Sequence, residues 1–226
     1  MTRTTPDDVA AEGIPSLADT SVLRDPPSTA RGARTRAALV AAARTVFERD
    51  GYLEARLSDI AAEAKCSTGS FYTYFAGKEE ILQAVLDLAQ DEMLHPGLPR
   101  LEPDEASPAA VIEASNRAYF ETYKRNAKLM AILDQVAAID PKFRAVRRRR
   151  SRAFWERNAR SIAQLQERGL ADPELDPHQA ARALSGMVGR MAYYAFVLGE
   201  EASIDELVRT ATRLWVNAAR IGAAAG

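Results

Sequence analysis

The sequence predicts an all-α protein, with a three-helix helix-turn-helix domain near the N-terminus and a larger helical domain after it. Three observations predict it. The β-branched alternation of a sheet is absent, and Ala, Arg, Glu and Leu dominate. Apolar residues recur at steps of three and four, as in Leu39, Ala43, Val46 and Phe47. Acid–proline pairs and isolated glycines mark helix starts and stops along the chain.

Residues 1 to about 30 are rich in Thr, Pro, Asp and Ser, lack periodicity and read as a disordered tail. A basic stretch with Arg31, Arg34 and Arg36 follows, and the first helix is expected over roughly 33–50, ended by Gly51. A short helix near 57–64 turns Leu57, Ile60, Ala61 and Ala64 inward. The tight turn Lys65-Cys66-Ser67 leads to another short helix near 68–74. Gly77 then opens a longer helix, 78–94, whose Glu79 and Glu80 suit the positive end of the helix dipole. His95-Pro96-Gly97 breaks the chain, and a Pro-rich loop runs to about Pro108. Further helices are expected near 109–125, 127–138, 141–168, 177–198 and 204–222. Asp140-Pro141 and Asp176-Pro177 place a capping acid before a first-turn proline, Ser203 with Glu206 makes a capping box, and Gly169 and Gly199 sit just past helix ends. The domain division expected is 1–30 tail, 31–78 helix-turn-helix, and 79–226 ligand-binding and dimerisation domain.

Bulk properties narrow the function classes. With a net charge of −1, any surface for nucleic acid is a local patch. No apolar run is long enough to span a bilayer, and the N-terminus lacks the apolar centre of a secretory signal, so a cytoplasmic protein with no membrane partner is expected. Cys66 is the only cysteine, which excludes an internal disulfide. With no resolving partner it reads as a small buried thiol, not a redox sensor. His95 and His178 lack companions at metal spacing, and no polar constellation signals catalysis; neither a metal, a cofactor nor an enzyme activity is expected.

The informative stretch is 34–82, RTRAALVAAARTVFERDGYLEARLSDIAAEAKCSTGSFYTYFAGKEEIL. Two short helices joined by a tight turn let the second lie in a DNA major groove. Ser67, Thr68, Ser70, Tyr72, Thr73 and Tyr74 offer donors and acceptors there, and Gly69 allows close backbone approach to phosphate. Phe71 and Phe75 face the core instead. Arg34, Arg36, Arg56, Ser58 and Lys78 complete the candidate DNA contacts, Lys78 at a helix N-terminus suited to phosphate. Through Phe47, Gly51-Tyr52, Ile60-Ala61, Ala64, Ser67, Gly69, Tyr72, Tyr74-Phe75 and Lys78-Glu79, this stretch resembles the tetracycline-repressor (TetR/AcrR) family. The resemblance implies an all-helical homodimer, a palindromic double-stranded operator, a variable domain for a small-molecule effector, and regulation of transcription, most often repression. Two positions depart from the family pattern. Ala55-Arg56 stands where the family has a capping Thr, a loss of about 1 kcal/mol. Lys65 stands where the family has Gly, and a left-handed Lys65 would carry strain on the order of 1–2 kcal/mol.

In the second domain Phe120, Tyr123, Met130, Leu133, Trp155, Met187, Met191 and Tyr194 are candidate walls of an elongated cavity for an apolar or amphipathic effector; the plain alternative for each is core. Gly186, Gly189, Tyr193, Val197, Leu207, Leu214 and Trp215 are candidates for a dimer interface, a four-helix bundle across a two-fold axis. The run Lys142, Arg144, Arg147 to Arg150 and Arg152 is the densest charge in the chain and reads first as a solvated face paired with acids. An anionic ligand head group or DNA backbone are its alternatives. Three other functional classes compete: an activator of the same architecture, a helical carrier or enzyme keeping the motif as scaffold, and a nonspecific DNA-packaging protein, which the near-neutral charge disfavours.

Overall fold

The computed structural model describes residues 27–94 and 107–222, and the N-terminal tail and the loop after His95 lie outside them. Among the described residues there are nine helices and no strand. They are α1 (Ala30–Glu54), α2 (Leu57–Glu63), α3 (Thr68–Tyr74), α4 (Lys78–Leu94), α5 (Pro108–Arg125), α6 (Ala127–Ile139), α7 (Pro141–Glu167), α8 (Pro177–Phe196) and α9 (Ile204–Ala218).

Local chemistry sets most boundaries. Ser107, Asp140, Asp176 and Ser203 each accept a backbone N–H in the first turn they cap, and Pro follows the first three at once. The Ser203–Glu206 capping box closes in both directions. Gly169 and Gly199 adopt left-handed φ of 67° and 75° just beyond α7 and α8.

Three expectations are corrected. The first helix begins at Ala30, earlier than the expected start, because Thr29 accepts from the Gly32 amide and caps it. Gly51 kinks this helix, with φ 78° and ψ 168°, and one more turn continues to Glu54. The last helix stops at Ala218, short of the expected end. There the chain turns, the Asp172 amide donates to Ala219 O, and the Gly222 amide donates to Leu170 O.

A continuous apolar core runs from the first helices to the last. Leu39, Ala43, Val46 and Phe47 meet Ile60, Phe71, Phe75, Ile81 and Leu82, all fully buried. In the larger domain α7 packs on α8, α9 on α5, and α6 on α7. Phe120, Met130 and Leu133 lie inside this core with almost no exposure.

Candidate functional site

Two features stand out, a presented helix and a cavity. The first is built by α1 to α4. Phe71 and Phe75 are fully buried with their rings 5.8 Å apart, which fixes the rotation of α3 and turns its opposite face outward. That face carries exposed Ser67, Thr68, Gly69, Tyr72 and Thr73; Tyr72 is half exposed. Ser67 caps the helix by accepting the Ser70 amide at 3.1 Å, and its hydroxyl also lies 3.1 Å from that of Ser70. Tyr74 is half-buried and packs against the core, so it belongs to the supporting side of the helix more than the presented one.

The turn before α3 takes the strained form considered for it. Lys65 has φ 54°, and the amides of Lys65 and Cys66 donate to Ala62 O and Ala61 O. Cys66 is half-buried against the core, not fully buried as expected. Arg56 sits at the N-cap of α2 with no side-chain capping bond, so the cap is indeed lost; both Arg56 and Ser58 are exposed.

The basic residues divide. Arg34 is exposed, whereas Arg36 is half-buried with its guanidinium 5.0 Å from the Phe75 ring centre. The Lys78 side chain, expected at a phosphate, is engaged within the chain itself. Its ammonium donates to Leu53 O at 3.0 Å and Ala55 O at 2.9 Å and lies 4.9 Å from the Tyr52 ring centre. These are the carbonyls at the frayed end of α1, so Lys78 ties α4 to that end. Burial, helped by the neighbouring Glu79 carboxylate, pushes the Tyr52 hydroxyl up to about 12.

The head is joined to the larger domain by contacts that the sequence did not flag. Arg44 of α1 donates to Asn126 Oδ1 at 2.9 Å and pairs with Glu48 at 2.9 Å and Glu92 at 3.7 Å. Fully buried Asn126, between α5 and α6, donates to Glu92 Oε2 at 3.1 Å and Thr122 O at 3.0 Å. Tyr52 also meets Phe143 of α7 edge-on, with ring centres 6.4 Å apart. Nothing in a lone Asn on a loop-like junction signals this; only the i,i+4 pair Arg44–Glu48 was legible.

The second feature is an open-mouthed cavity of about 960 Å³ bounded mainly by α5, α7 and α8, with Trp215 and Ile221 also on its wall. Of the eight candidate wall residues, Tyr123 and Trp155 line it. Phe120, Met130 and Leu133 do not, because they face the core; Met187 and Met191 pack partly buried elsewhere on it, and Tyr194 points outward at 41% exposure. Four residues expected at a dimer interface also line the cavity: Gly186, Gly189, Tyr193 and Trp215. Gly189 faces the Tyr119 hydroxyl, from which a Cβ would stand at an ordinary contact distance of 3.5 Å. Leu207 is internal core, and Val197 is half-buried against it; Gly186 and Leu214 keep an exposed face.

The arginine run contributes to this cavity as well as to the surface. Arg147 pairs with Asp134 and Arg152 with Glu156, both at 2.6 Å, as expected of a solvated face. Yet eight arginines line the cavity (Arg147 to Arg150, Arg152, Arg157, Arg182 and Arg190) against one carboxylate, Asp134. Arg157 lies 5.3 Å over the Phe154 ring, and burial, with the charge of Arg160, pushes its guanidinium below its ordinary value. Burial raises the hydroxyls of Tyr119 and Tyr123. Asn158 donates to Ser185 and Asn116 to Thr212, fastening α7 to α8 and α5 to α9 around the cavity. Among the described residues no group of His, Cys, Asp and Glu is placed to hold a metal, and no helix is long and apolar enough to cross a membrane.

A presented, capped helix on a small head, joined to a helical body with a cavity, is the arrangement of a helix-turn-helix DNA-binding protein. The model of bacterial regulatory proteins of the tetR family matches residues 39–85, and that of the C-terminal domain of transcriptional regulator EthR matches residues 112–219. The chain belongs to the TetR family and is a ligand-responsive, helix-turn-helix transcriptional regulator. It is 43% identical over 58 residues to the A-factor receptor protein of Streptomyces griseus, a match covering 26% of this chain and 21% of that protein. It is 26% identical to the HTH-type transcriptional regulator TtgR of Pseudomonas putida over 68% of this chain and 76% of the relative. The fold matches SmeT, the repressor of a Stenotrophomonas maltophilia multidrug efflux pump, with a TM-score of 0.66 at 20% identity over 81% of this chain and 89% of SmeT.

Proposed function

We propose that the chain is a repressor that binds a palindromic double-stranded operator as a homodimer and leaves it when an apolar or amphipathic small molecule enters the cavity. The observation that carries the reading is α3: its core side is pinned by Phe71 and Phe75, and its outer side presents Thr68, Gly69, Tyr72 and Thr73. Those residues, with Ser67 and Ser70, read bases and phosphates, while Arg34, Arg56 and Ser58 set register on the backbone. Residues 31–78 form the reading head and 79–226 the effector and dimerisation part, with α4 shared between them.

Exposed Gly186, Tyr194, Leu198 and Leu214 on and just beyond α8 and on α9 support a dimer face there. A two-fold dimer holds two α3 helices about one DNA turn (about 34–36 Å) apart. A ligand that favours another head spacing weakens DNA binding by its difference in affinity for the two forms. No catalytic step is assigned to the cavity, which offers no activated nucleophile or acid–base pair.

The test is fluorescence anisotropy of the full chain with its own upstream intergenic DNA and with scrambled DNA across a salt series. Preferential binding that weakens steeply with salt supports the reading. Equal weak binding to both DNAs and to every fragment from a genome-wide selection overturns it. A reporter driven from the selected site separates repression from activation.

A further inference from the structure

We infer that the cavity selects an amphipathic anion whose carboxylate or phosphate is held by Arg150. This deepens the effector reading above and rests on it. The cavity wall offers eight arginines and one carboxylate, and that carboxylate, Asp134, is already paired with Arg147. Arg152 is likewise paired, with Glu156. Arg150 differs from both. Among the described residues its Nη2 donates to Met93 Sδ at 2.9 Å, and its Nε is buried with no acceptor. A thioether is a weak acceptor, and a guanidinium has five N–H groups arranged as a fork that fits a carboxylate or phosphate. A half-buried charge with so poor a partner favours an anion that can reach it.

Another buried donor on the wall points to the same chemistry. Trp215 Nε1 is buried without an acceptor, and an indole N–H only donates. The unmatched groups here are therefore donors, complementary to a ligand that only accepts. The wall also carries apolar residues, including Ile112, Tyr119, Phe154, Ile162 and Leu165, which suit a ligand with a hydrocarbon or aromatic frame.

Arg150 also explains how such a ligand is felt by the head. Met93 lies on α4, the helix that carries Lys78 and its tie to α1. An anion that draws the guanidinium from Met93 changes the α4–α7 contact at one defined point, and the stronger charge-assisted bond supplies the bias.

The experiment uses the full chain without DNA, so that it stands apart from operator binding. Dodecanoate, dodecyl phosphate, dodecan-1-ol and dodecylammonium, each below its micellar concentration, are titrated by calorimetry into wild type and into Arg150→Met and Arg150→Lys. Both anions are expected to bind at least tenfold more tightly than the alcohol and the ammonium. The comparison of the two anions shows which head group is preferred. Arg150→Met is expected to lose at least tenfold for the anions and less than twofold for the alcohol, with Arg150→Lys between. Unchanged circular dichroism and melting confirm that the variants are folded. Equal binding of acid and alcohol, binding of neither anion, or anion binding indifferent to Arg150→Met overturns the inference. If the alcohol then releases DNA as well as the acid, the regulator reading stands and only the anion selectivity falls.

Discussion

Asn126→Ala tests how the head is fastened to the body. Asn126 is fully buried and makes three side-chain hydrogen bonds, accepting from Arg44 and donating to Glu92 and the Thr122 carbonyl. The Thr122 carbonyl also accepts the Asn126 backbone amide at 3.2 Å, so it stays satisfied and little is lost there. The other two partners are charged, and such bonds contribute about 1.5–3 kcal/mol each when well shielded. Their side chains are 30% and 49% exposed, so water takes over part of each bond. The expected loss is therefore about 2–3 kcal/mol, including the small void left by the amide. Urea unfolding at fixed protein concentration reads it as a lower midpoint with an unchanged slope. A double-mutant cycle with Arg44→Met should return a coupling of roughly 0.5–3 kcal/mol. A midpoint shift under about 0.5 kcal/mol, or additive single effects, would refute the role assigned to this junction.

Further outcomes are expected elsewhere. Lys78→Met should lower stability by about 1–3 kcal/mol, since two carbonyls lose their donor, while leaving the salt dependence of DNA binding unchanged; a slope reduced by about one phosphate would restore a direct backbone contact. Tyr72→Ala should leave the melting midpoint within about 0.5 kcal/mol of wild type but weaken operator binding by about 1–3 kcal/mol in anisotropy, and intact affinity would remove it from the reading face. Tyr52 is held protonated in the folded state, its hydroxyl raised from 10.0 to about 12 chiefly by burial. Its contribution is thus complete below pH 10 and lost as pH climbs toward 12, so wild type should lose stability more steeply than Tyr52→Phe over that interval; parallel curves in urea titrations would contradict it.

Local signals carried much of the architecture. The acid–proline pairs, the Ser203–Glu206 box and the glycines after α7 and α8 act within a turn of where they stand, so their effects are readable from neighbouring letters. The same holds for α3, where the spacing of Phe71 and Phe75 decides which residues face out. Side-chain direction across long sequence distances was not readable in this way. Met130 and Tyr123 are both apolar residues on neighbouring helices joined at Asn126, yet only Tyr123 reaches the cavity. Trp215 fits the spacing of a dimer face equally well, and its burial is set by how α9 leans on α5. Lys78 has the position of a phosphate contact, and only the kink at Gly51 brings the carbonyls of Leu53 and Ala55 within its reach. Charge density alone likewise could not separate Arg147, paired at the surface, from Arg150, turned toward Met93.

The Arg44–Asn126–Glu92 node bears on how such proteins can be recombined. A designer wishing to move this reading head onto another body would naturally cut near Lys78, where the sequence motif ends. That cut would separate α4 from the α1 surface it covers and leave Arg44 without the buried amide 82 residues away. A working chimera therefore has to carry the whole of α4 and a body whose first two helices after it meet at an asparagine. The recognition surface is exchangeable residue by residue along α3, but the unit that can be transplanted is larger than the unit that reads DNA.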